Sequence, residues 1–365
     1  MSDGPLFTAL TTSTRQLYTL LRCIAFNKDA VVSIRPEGIR FTVEGSRIIE
    51  ASTELESSLF TTYILSDPET EIPAFQINVA ALLQALQIFG AFDAATAHKA
   101  QNGGITSSFA AAFNTPALGV SGSCKLTYAQ EGAPLSIIID EGGVKTNCEL
   151  NTYRLPNFFD PTEETVPFDP NNILLKVVMS GFKLHDALTE IMTTDSPTLV
   201  ISAWNRKPPY LALVGEDGPF GDSTIEFAPE TNPAGKSVGR KIKPAATETF
   251  AVAALEGMGG RVKEKFRMDL LKKTMRVMAA AIKVSLRMDQ QGVLSLQFMV
   301  SQNKALGIDG SVYGEKSKVS FVEYRVVPIW DQDDNHPGDS ADEGDADGNP
   351  DADYQDYDES QNENT

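Results

Sequence analysis

Few residues in this 365-residue chain could carry out covalent or metal-dependent chemistry. The sequence contains three histidines and three cysteines, which are His98, His185, His336, Cys23, Cys124 and Cys148. No two histidines stand at the spacing of a metal-ligand pair, and the cysteines lack the Cys-x-x-Cys spacing of a zinc site. Unpaired cysteines also fit a reducing compartment. We therefore expect no catalytic residue, no metal site and no cofactor.

The acidic and glycine-rich motifs do not favour an enzyme either. A two-metal site for phosphoryl transfer needs several carboxylates that converge on paired metals. Outside the C-terminal tail, Asp140-Glu141 and Asp289 fall in predicted hairpin turns, where acidic residues are common for conformational reasons. The run Gly257-Met258-Gly259-Gly260 lacks the Lys-Ser/Thr pair of a phosphate-binding loop.

Basic side chains, in contrast, stand at helical spacing in the segment Arg15–Phe26. Its apolar residues from Leu17 to Ile24 recur with a period near 3.6, which leaves Arg15 and Arg22 on the opposite side of the predicted helix. Two predicted strands joined by a Pro-Glu-Gly turn follow directly. We expect the helix to cover one face of this sheet and to leave its arginine side free.

Three more helices are predicted, each followed or preceded by strands. Ala80–Phe89 is almost wholly apolar apart from two glutamines, and Gly181–Thr193 combines an apolar face with Lys183. The third helix is Leu270–Ala281. Its basic residues share one side and are Lys272, Lys273 and Arg276.

The unit of one helix with several strands therefore occurs four times, twice in each half of the chain. This pattern predicts an α+β fold in which each half is an antiparallel sheet covered on one face by two helices. We predict an N-terminal domain over 1–150, a linker over 151–172 that is rich in Pro, Asp and Glu, and a C-terminal domain over 173–330. Residues 91–121 and 228–260 have the composition of insertions into turns.

The net charge of −18 is concentrated at the C-terminus. Residues 331–365 contain fourteen Asp and Glu and no Lys or Arg, so residues 1–330 hold 31 basic and 35 acidic side chains. The tail's content of Gly, Asn, Pro and Asp predicts disorder. No signal peptide or transmembrane run is recognisable, and we expect a soluble intracellular protein.

Four helices on one surface of a two-domain subunit have a geometric consequence. Helices are about 10 Å across, so twelve side by side would form a ring of roughly 120 Å circumference with a lumen of about 28 Å. Three such subunits would close a ring wide enough for duplex DNA.

Five blocks of sequence, taken in order, carry a resemblance to a known family. They are Pro36–Glu44, Ile77–Gly90, Glu141–Val144 with Cys148 and Thr152, Ser285–Asp289 with Gly292 and Leu294–Met299, and Phe321–Tyr324 before Pro328. Together they closely resemble the Rad-one subunits of the nine-one-one checkpoint clamps, including the fungal type. These clamps are DNA-damage relatives of the PCNA sliding clamp. The resemblance covers about residues 5–90, 122–228 and 262–328.

The resemblance implies a two-domain DNA sliding-clamp fold and a scaffold rather than a catalyst. Such a subunit forms a heterotrimeric ring with two paralogous subunits, and a dedicated clamp loader places the ring on double-stranded DNA at damage without sequence specificity. The ring recruits repair enzymes and the checkpoint kinase pathway in the nucleus, with no membrane partner. The alternative is a 3′–5′ DNA exonuclease, because some fungal members have been described as exonucleases.

The resemblance also implies which residues face DNA. Sliding requires phosphate contacts without base readout, which Lys and Arg on the lumen helices supply. The candidates are Arg15, Arg22, Lys183, Lys272, Lys273 and Arg276. Lys183 is the weaker match because Asp186 and Glu190 neighbour it, and the second helix has no basic residue. An ordinary solvated helix face is the alternative for each of them.

Ring closure in clamps pairs the edge strands of adjacent subunits. By position, the edges are Val144–Leu150 in the first half and Thr224–Phe227 in the second. The interface candidates are thus Val144, Lys145, Thr146, Asn147, Cys148, Glu149, Leu150, Thr224, Ile225, Glu226 and Phe227. Charged residues that merely protect an edge are the alternative.

Partner peptides of clamps dock beside the interdomain linker. Here Leu155, Phe158 and Phe159 could line such a groove, or could pin the linker to its own domain. Residues 228–260 include a scattered basic cluster that fits a nuclear localisation signal, a mobile basic loop or an idle loop. The acidic tail fits a solubilising segment, a decoy for basic DNA-binding surfaces or a phosphorylated docking segment around Ser340 and Ser360.

Overall fold

The computed structural model describes residues 4–12, 14–68, 71–88, 123–141, 144–155, 165–229, 243–253, 260–301 and 319–330. Within these ranges the fold consists of antiparallel strands and a small number of helices. This architecture confirms the predicted α+β class.

The first half of the chain begins with a strand that precedes the first helix. Its elements are β1 (Phe7–Thr11), α1 (Thr14–Ile24), β2 (Asp29–Arg35), β3 (Gly38–Gly45), β4 (Ile49–Glu56), a short 3-10 helix (Ser57–Leu59), β5 (Thr62–Leu65), β6 (Phe75–Asn78), α2 (Val79–Ile88), β7 (Ser123–Tyr128), β8 (Leu135–Glu141), β9 (Val144–Leu150) and β10 (Tyr153–Arg154).

The second half repeats the alternation of strands with helices. Its elements are β11 (Ile173–Ser180), α3 (Gly181–Met192), β12 (Thr198–Trp204), β13 (Leu211–Glu216), β14 (Ser223–Glu226), β15 (Thr247–Val252), β16 (Arg261–Arg267), α4 (Met268–Lys272), α5 (Met275–Ala280), β17 (Ala281–Asp289), β18 (Leu294–Ser301) and β19 (Val319–Val326).

The strands form three sheets. Their orders are β5-β1-β7-β8-β9, β10-β6-β2-β3-β4-β19-β18-β17-β11-β15 and β14-β13-β12-β16. The ten-stranded sheet joins both halves of the chain, because β4 pairs with β19 from Val322↔Thr53 to Val326↔Ile49. The sequence pattern predicts one sheet per half. Local periodicity carries no information on this pairing, which links residues far apart in the chain.

The helices pack on the sheets through the apolar stripes that their sequences predict. In α1 the side chains of Leu17, Leu20, Leu21 and Ile24 are buried. This helix contacts α2 and the strands β3, β4 and β19, whereas α3 contacts α5, β11, β13 and β17. Each leucine or isoleucine buried in this way stabilises the fold by about 1.5–3 kcal/mol.

The helix predicted over Leu270–Ala281 is divided into α4 and α5. The break falls at Thr274, a fully buried residue whose Oγ1 donates a hydrogen bond to the Leu271 carbonyl at 2.7 Å. A threonine that bonds back to the preceding turn competes with regular helix geometry, which explains the interruption.

The loop predicted over residues 228–260 is wrong for Thr247–Val252, which form strand β15. This strand pairs with β11 and lies at the edge of the ten-stranded sheet. Its exposed positions alternate irregularly, so the sequence lacks the clean period of two that identifies a strand. None of the helices in the described part of the chain is long and apolar enough to span a bilayer.

Candidate nucleic-acid interface

The basic residues of α1 and α5 meet where the first half of the chain contacts the second. The guanidinium Nη1 of Arg276 donates a hydrogen bond to the Arg22 carbonyl at 3.2 Å. Arg22 and Arg276 are both exposed, and Lys273 beside them is half-buried. We call Arg22, Lys273 and Arg276 the helix-junction cluster. It unites Arg22 of α1 with Lys273, which lies between α4 and α5, and with Arg276 of α5, which is more than 250 residues away from Arg22 in the chain.

Aromatic rings lie against two of the three cations of this cluster. The Arg22 guanidinium lies 5.8 Å from the centre of the Tyr18 ring, and the Lys273 ammonium lies 5.3 Å from that of Phe26. The face of an aromatic ring attracts a cation and orients it without neutralising it. The cluster therefore keeps its positive charge available to an anion.

Tyr324 on β19 fastens the two helices to the sheet. Its hydroxyl donates a hydrogen bond to the Cys23 carbonyl at 2.6 Å and lies 3.4 Å from the Lys273 carbonyl. The residue is fully buried, and this burial raises the pKa of its hydroxyl far above the ordinary value. Tyr324 thus remains a neutral donor under all physiological conditions.

The other basic candidates are exposed but less closely associated. Arg15 stands seven residues before Arg22 on the same side of α1, about 10.5 Å along the helix axis. Lys272 is exposed at the end of α4. Lys183 is exposed on α3 next to the exposed acids Asp186 and Glu190, and among the described residues no contact joins it to the helix-junction cluster. Among the described side chains of α2, the exposed ones are Ala80, Gln84 and Gln87, none of which is charged.

The two predicted edge strands both lie at sheet edges. Strand β9 ends the five-stranded sheet, and β14 ends the four-stranded sheet. In β9, Lys145, Asn147 and Glu149 are exposed, whereas Cys148 and Leu150 pack against the core.

In and beside β14, Thr224 and Glu226 are exposed, whereas Ile225 and Phe227 pack against the core. Phe227 lies one residue past the strand, and its backbone N–H donates to the Leu211 carbonyl at 3.0 Å. Because main-chain groups alternate in direction along an antiparallel strand, the N–H groups of Thr224 and Glu226 point away from β13.

Of the predicted peptide-groove residues, Leu155 is half-buried, and Phe158 and Phe159 lie outside the described residues. The C-terminal part of the linker, residues 165–172, is attached to the ten-stranded sheet. The Glu50 carboxylate accepts hydrogen bonds from the backbone N–H groups of Thr165 (2.7 Å) and Val166 (3.3 Å). Val166 is fully buried against Val293.

An ionic network that local sequence patterns do not predict completes this attachment. Glu323 accepts hydrogen bonds from Arg287 at 2.9 Å, from Ser295 at 2.7 Å and from Arg325 at 3.3 Å. Both guanidinium groups lie over the Phe168 ring, at 5.0 and 5.9 Å. Burial lowers the pKa of Arg287 against the opposing effect of Glu323. Arg287 lies on β17, whereas Glu323 and Arg325 lie on β19. Because the network joins strands that are separate in the chain, no local motif reveals it.

The family to which the chain belongs follows from a match over most of its length. The family model described as repair protein Rad1/Rec1/Rad17 matches residues 6–300. The chain belongs to this family.

Individual Rad1 relatives agree with the match. The mouse (Mus musculus) "Cell cycle checkpoint protein RAD1" is 25% identical over 317 residues, which cover 86% of this chain and 89% of that protein. The Schizosaccharomyces pombe "DNA damage checkpoint control protein rad1" is 25% identical over 89% of this chain and 87% of its own length. A "DNA repair exonuclease REC1" from Mycosarcoma maydis is 24% identical over 56% of this chain and 47% of that protein.

A solved structure identifies the fold. PCNA from Thermococcus kodakaraensis superposes with a TM-score of 0.55 and 15% sequence identity, over 88% of this chain and 100% of that one. This Rad1-family chain therefore has the sliding-clamp fold that the sequence predicts. Among its described residues, no group of three or more His, Cys, Asp and Glu side chains is placed to share a metal ion.

Proposed function

We propose that this chain is one subunit of a DNA-damage checkpoint clamp, a heterotrimeric ring that encircles duplex DNA. Membership of the Rad1 family and the clamp fold support this proposal, as do the checkpoint names of the mouse and fission-yeast relatives. In this proposal a dedicated loader places the ring on DNA in the nucleus. The loaded ring activates the checkpoint kinase pathway and holds repair enzymes, and the chain itself is not an enzyme.

The helix-junction cluster is the observation that carries the proposal. Its cations lie on helices from both halves of the chain, and its aromatic supports leave their charge unneutralised. Phosphate contacts of this kind bind duplex DNA without reading its sequence, as a sliding ring requires. Arg15, Lys272 and Lys183 extend the same basic surface in the proposed lumen.

The edges of β9 and β14 are the proposed contacts with the two paralogous subunits. Each edge exposes main-chain groups that can continue a sheet into a neighbouring chain. One edge comes from each half of the chain, so a subunit could pair on both sides and contribute to ring closure. In the proposal, Leu155, Phe158 and Phe159 contribute to a groove for partner peptides.

Native mass spectrometry of this chain mixed with its two paralogous subunits tests the proposal. We expect a 1:1:1 complex. We also expect this complex to remain on a circular DNA and to slide off the same DNA once the DNA is linearised. A chain that remains monomeric in the presence of both subunits would refute the proposal.

The exonuclease named among the relatives gives the second candidate function. Incubation of the purified chain with 3′-labelled duplex DNA and Mg²⁺ or Mn²⁺ distinguishes the two. As a clamp subunit, the chain should release no nucleotides. Release that persists at constant specific activity through successive purification steps would establish a nuclease.

A further inference from the structure

The four-stranded sheet carries a second basic surface, away from the helices. Along β16, the basic residues Arg261, Lys263, Lys265 and Arg267 are exposed or half-buried, and they alternate with the buried Val262, the half-buried Glu264 and the buried Phe266. Alternate residues of a strand lie on one face about 6.7 Å apart. These four cations therefore form a straight row on the outward face of the sheet.

A tryptophan lies at one end of this row of cations. Trp204 on β12 is opposite Arg261, whose guanidinium lies 5.8 Å from the ring centre. The ammonium of Lys207 lies 5.6 Å from the same ring. Among the described residues, Arg206, Lys207 and Arg261 have no carboxylate within ion-pair distance. The positive charge at this end of the row is therefore uncompensated within the described part of the chain.

The other end of the row is partly neutralised. Glu216 lies 3.5 Å from the Lys265 ammonium and 3.9 Å from that of Lys263, and Arg267 is paired with Asp269 at 2.8 Å. Lys263 nevertheless keeps 49% of its side chain exposed. An acidic ligand would consequently be attracted to the end of β16 that holds Arg261 and Lys263.

Among the described strands, none pairs with β16 on its outer side. Ile329 N donates a hydrogen bond to the Lys265 carbonyl at 2.7 Å, so an extended segment already pairs with this edge. The carbonyl of Gly260, directly before Arg261, points to the inner side and accepts a hydrogen bond from the backbone N–H of Asn205. Because main-chain groups alternate in direction, the N–H and C=O groups of Arg261 and Lys263 point outward, as those of Lys265 do.

An open cleft adjoins this part of the edge. It has a volume of about 300 Å³ and is lined by Leu174, Arg261, Val262, Lys263 and Glu264. Leu174 and Val262 are buried apolar residues, and Arg261 and Lys263 supply positive charge. Glu264 is the one acidic residue of this lining, and the two cations outnumber it. A strand edge beside such a cleft is suited to an extended peptide that adds to the sheet.

We propose that the edge of β16 at Arg261–Lys263 binds an extended acidic segment of a partner protein by strand addition. The main chain of the segment pairs with the outward groups of these two residues, and every second side chain is a carboxylate that faces the Arg261–Lys207 end of the row. The intervening side chains of the segment are apolar and reach into the cleft. This site is separate from both edges used in the proposed ring.

A pair of peptides tests the site on the unmodified full-length chain. The probes are two fluorescein-labelled octapeptides of the same composition, one in which Glu and Val alternate and one with four Glu followed by four Val. Strand addition places alternate side chains on one face, so the alternating peptide should bind about tenfold more tightly in fluorescence anisotropy. Equal affinity of the two peptides would overturn the proposal. Tighter binding of a labelled oligo(dT) of the same length would also overturn it, in favour of nucleic acid.

Substitutions at Lys263 separate main-chain pairing from charge. Lys263→Ala removes the charge and keeps the outward N–H, whereas Lys263→Pro removes both, and proline is tolerated on an edge strand whose N–H faces solvent. We expect Lys263→Pro to bind the alternating peptide about tenfold more weakly than Lys263→Ala, with a matched thermal transition for both variants. Equal binding by the two variants would show that main-chain pairing is not involved.

A charge control completes the design. Arg261→Ala should weaken binding of the alternating peptide, whereas Lys125→Ala, at an exposed position on β7, should not. An equal effect of both would indicate non-specific attraction and overturn the site. Because these measurements use the chain without DNA or paralogous subunits, their failure would leave the proposed clamp function untouched.

Discussion

At the scale of single residues, the helix-junction cluster is an arrangement of like charges held in place by uncharged partners. Arg22, Lys273 and Arg276 are oriented by aromatic rings and by a main-chain carbonyl rather than by carboxylates. Like charges gathered in this way repel one another, and a bound phosphate relieves that repulsion.

Replacing both Arg22 and Arg276 by alanine should weaken binding of the assembled ring to duplex DNA. The slope of log K against log salt concentration is negative, and each lost phosphate contact reduces its magnitude by about 1. The double variant should therefore reduce the magnitude of this slope by about 2. Fluorescence anisotropy over a salt series measures this slope. Arg154→Ala removes an equally exposed arginine that is paired with Glu131 and serves as the control. An unchanged slope would remove the cluster from the DNA interface.

Tyr324 supports a prediction about stability. Tyr324→Phe removes the hydroxyl that donates to the Cys23 carbonyl and leaves this acceptor buried without that partner. The free energy of unfolding should fall by about 1–3 kcal/mol, the cost of a buried unsatisfied polar group. Urea denaturation measures the change, and Tyr153→Phe, at a tyrosine that is 56% exposed, should have almost no effect. Equal stability of the two variants would contradict the role assigned to Tyr324.

At the scale of elements, the strand edges determine which neighbouring chains can pair with this chain in the proposed ring. The N–H of Thr224 points outward from β14, because that of Phe227 points inward to Leu211. Thr224→Pro should therefore prevent pairing with a neighbouring subunit, whereas Thr224→Ala keeps the donor and should assemble normally. Native mass spectrometry with the paralogous subunits measures the fraction of heterotrimer. Full assembly of Thr224→Pro would exclude β14 as an interface that depends on this hydrogen bond.

At the scale of the whole molecule, closure of the proposed ring requires both halves of the chain to pair with neighbouring subunits at the same time. Assembly should therefore slow amide hydrogen exchange in both β9 and β14, by about tenfold or more, because paired edge groups are no longer open to solvent. The outward amide of Lys263 on β16 should keep its rate and acts as an internal control. Hydrogen exchange followed by mass spectrometry, before and after mixing with the paralogous subunits, provides the measurement. Protection confined to one strand would contradict a closed ring.

Much of the fold could be predicted from local patterns, and the exceptions have physical causes. The apolar period of α1 identified its buried face, and turn residues located most of the hairpins. Strands β1, β4 and β5 were missed, and β15 was assigned to a loop. Strands β1 and β5 pair with each other, and β1 also pairs with β7, so the partners of these two strands are distant in the chain. Strand β1 is short, and its sequence Phe-Thr-Ala-Leu-Thr lacks a clean alternation of apolar and polar residues, so it gives little local signal of this pairing. Strand β4 does alternate from Ile49 to Glu56, so its pattern is typical of a strand.

By itself, the sequence determined the α+β class, the exposed basic faces of the helices and the family, because these depend on residue types at short spacing and on ordered blocks. The tertiary structure decided which of those cations meet. Arg22 and Arg276 meet where β4 pairs with β19, and the Tyr324 hydroxyl on β19 contacts the carbonyls of Cys23 on α1 and of Lys273 between α4 and α5. The Arg287–Glu323–Arg325 network and the row of cations along β16 likewise depend on strand register. Register is set by long-range packing, which no stretch of sequence read alone contains.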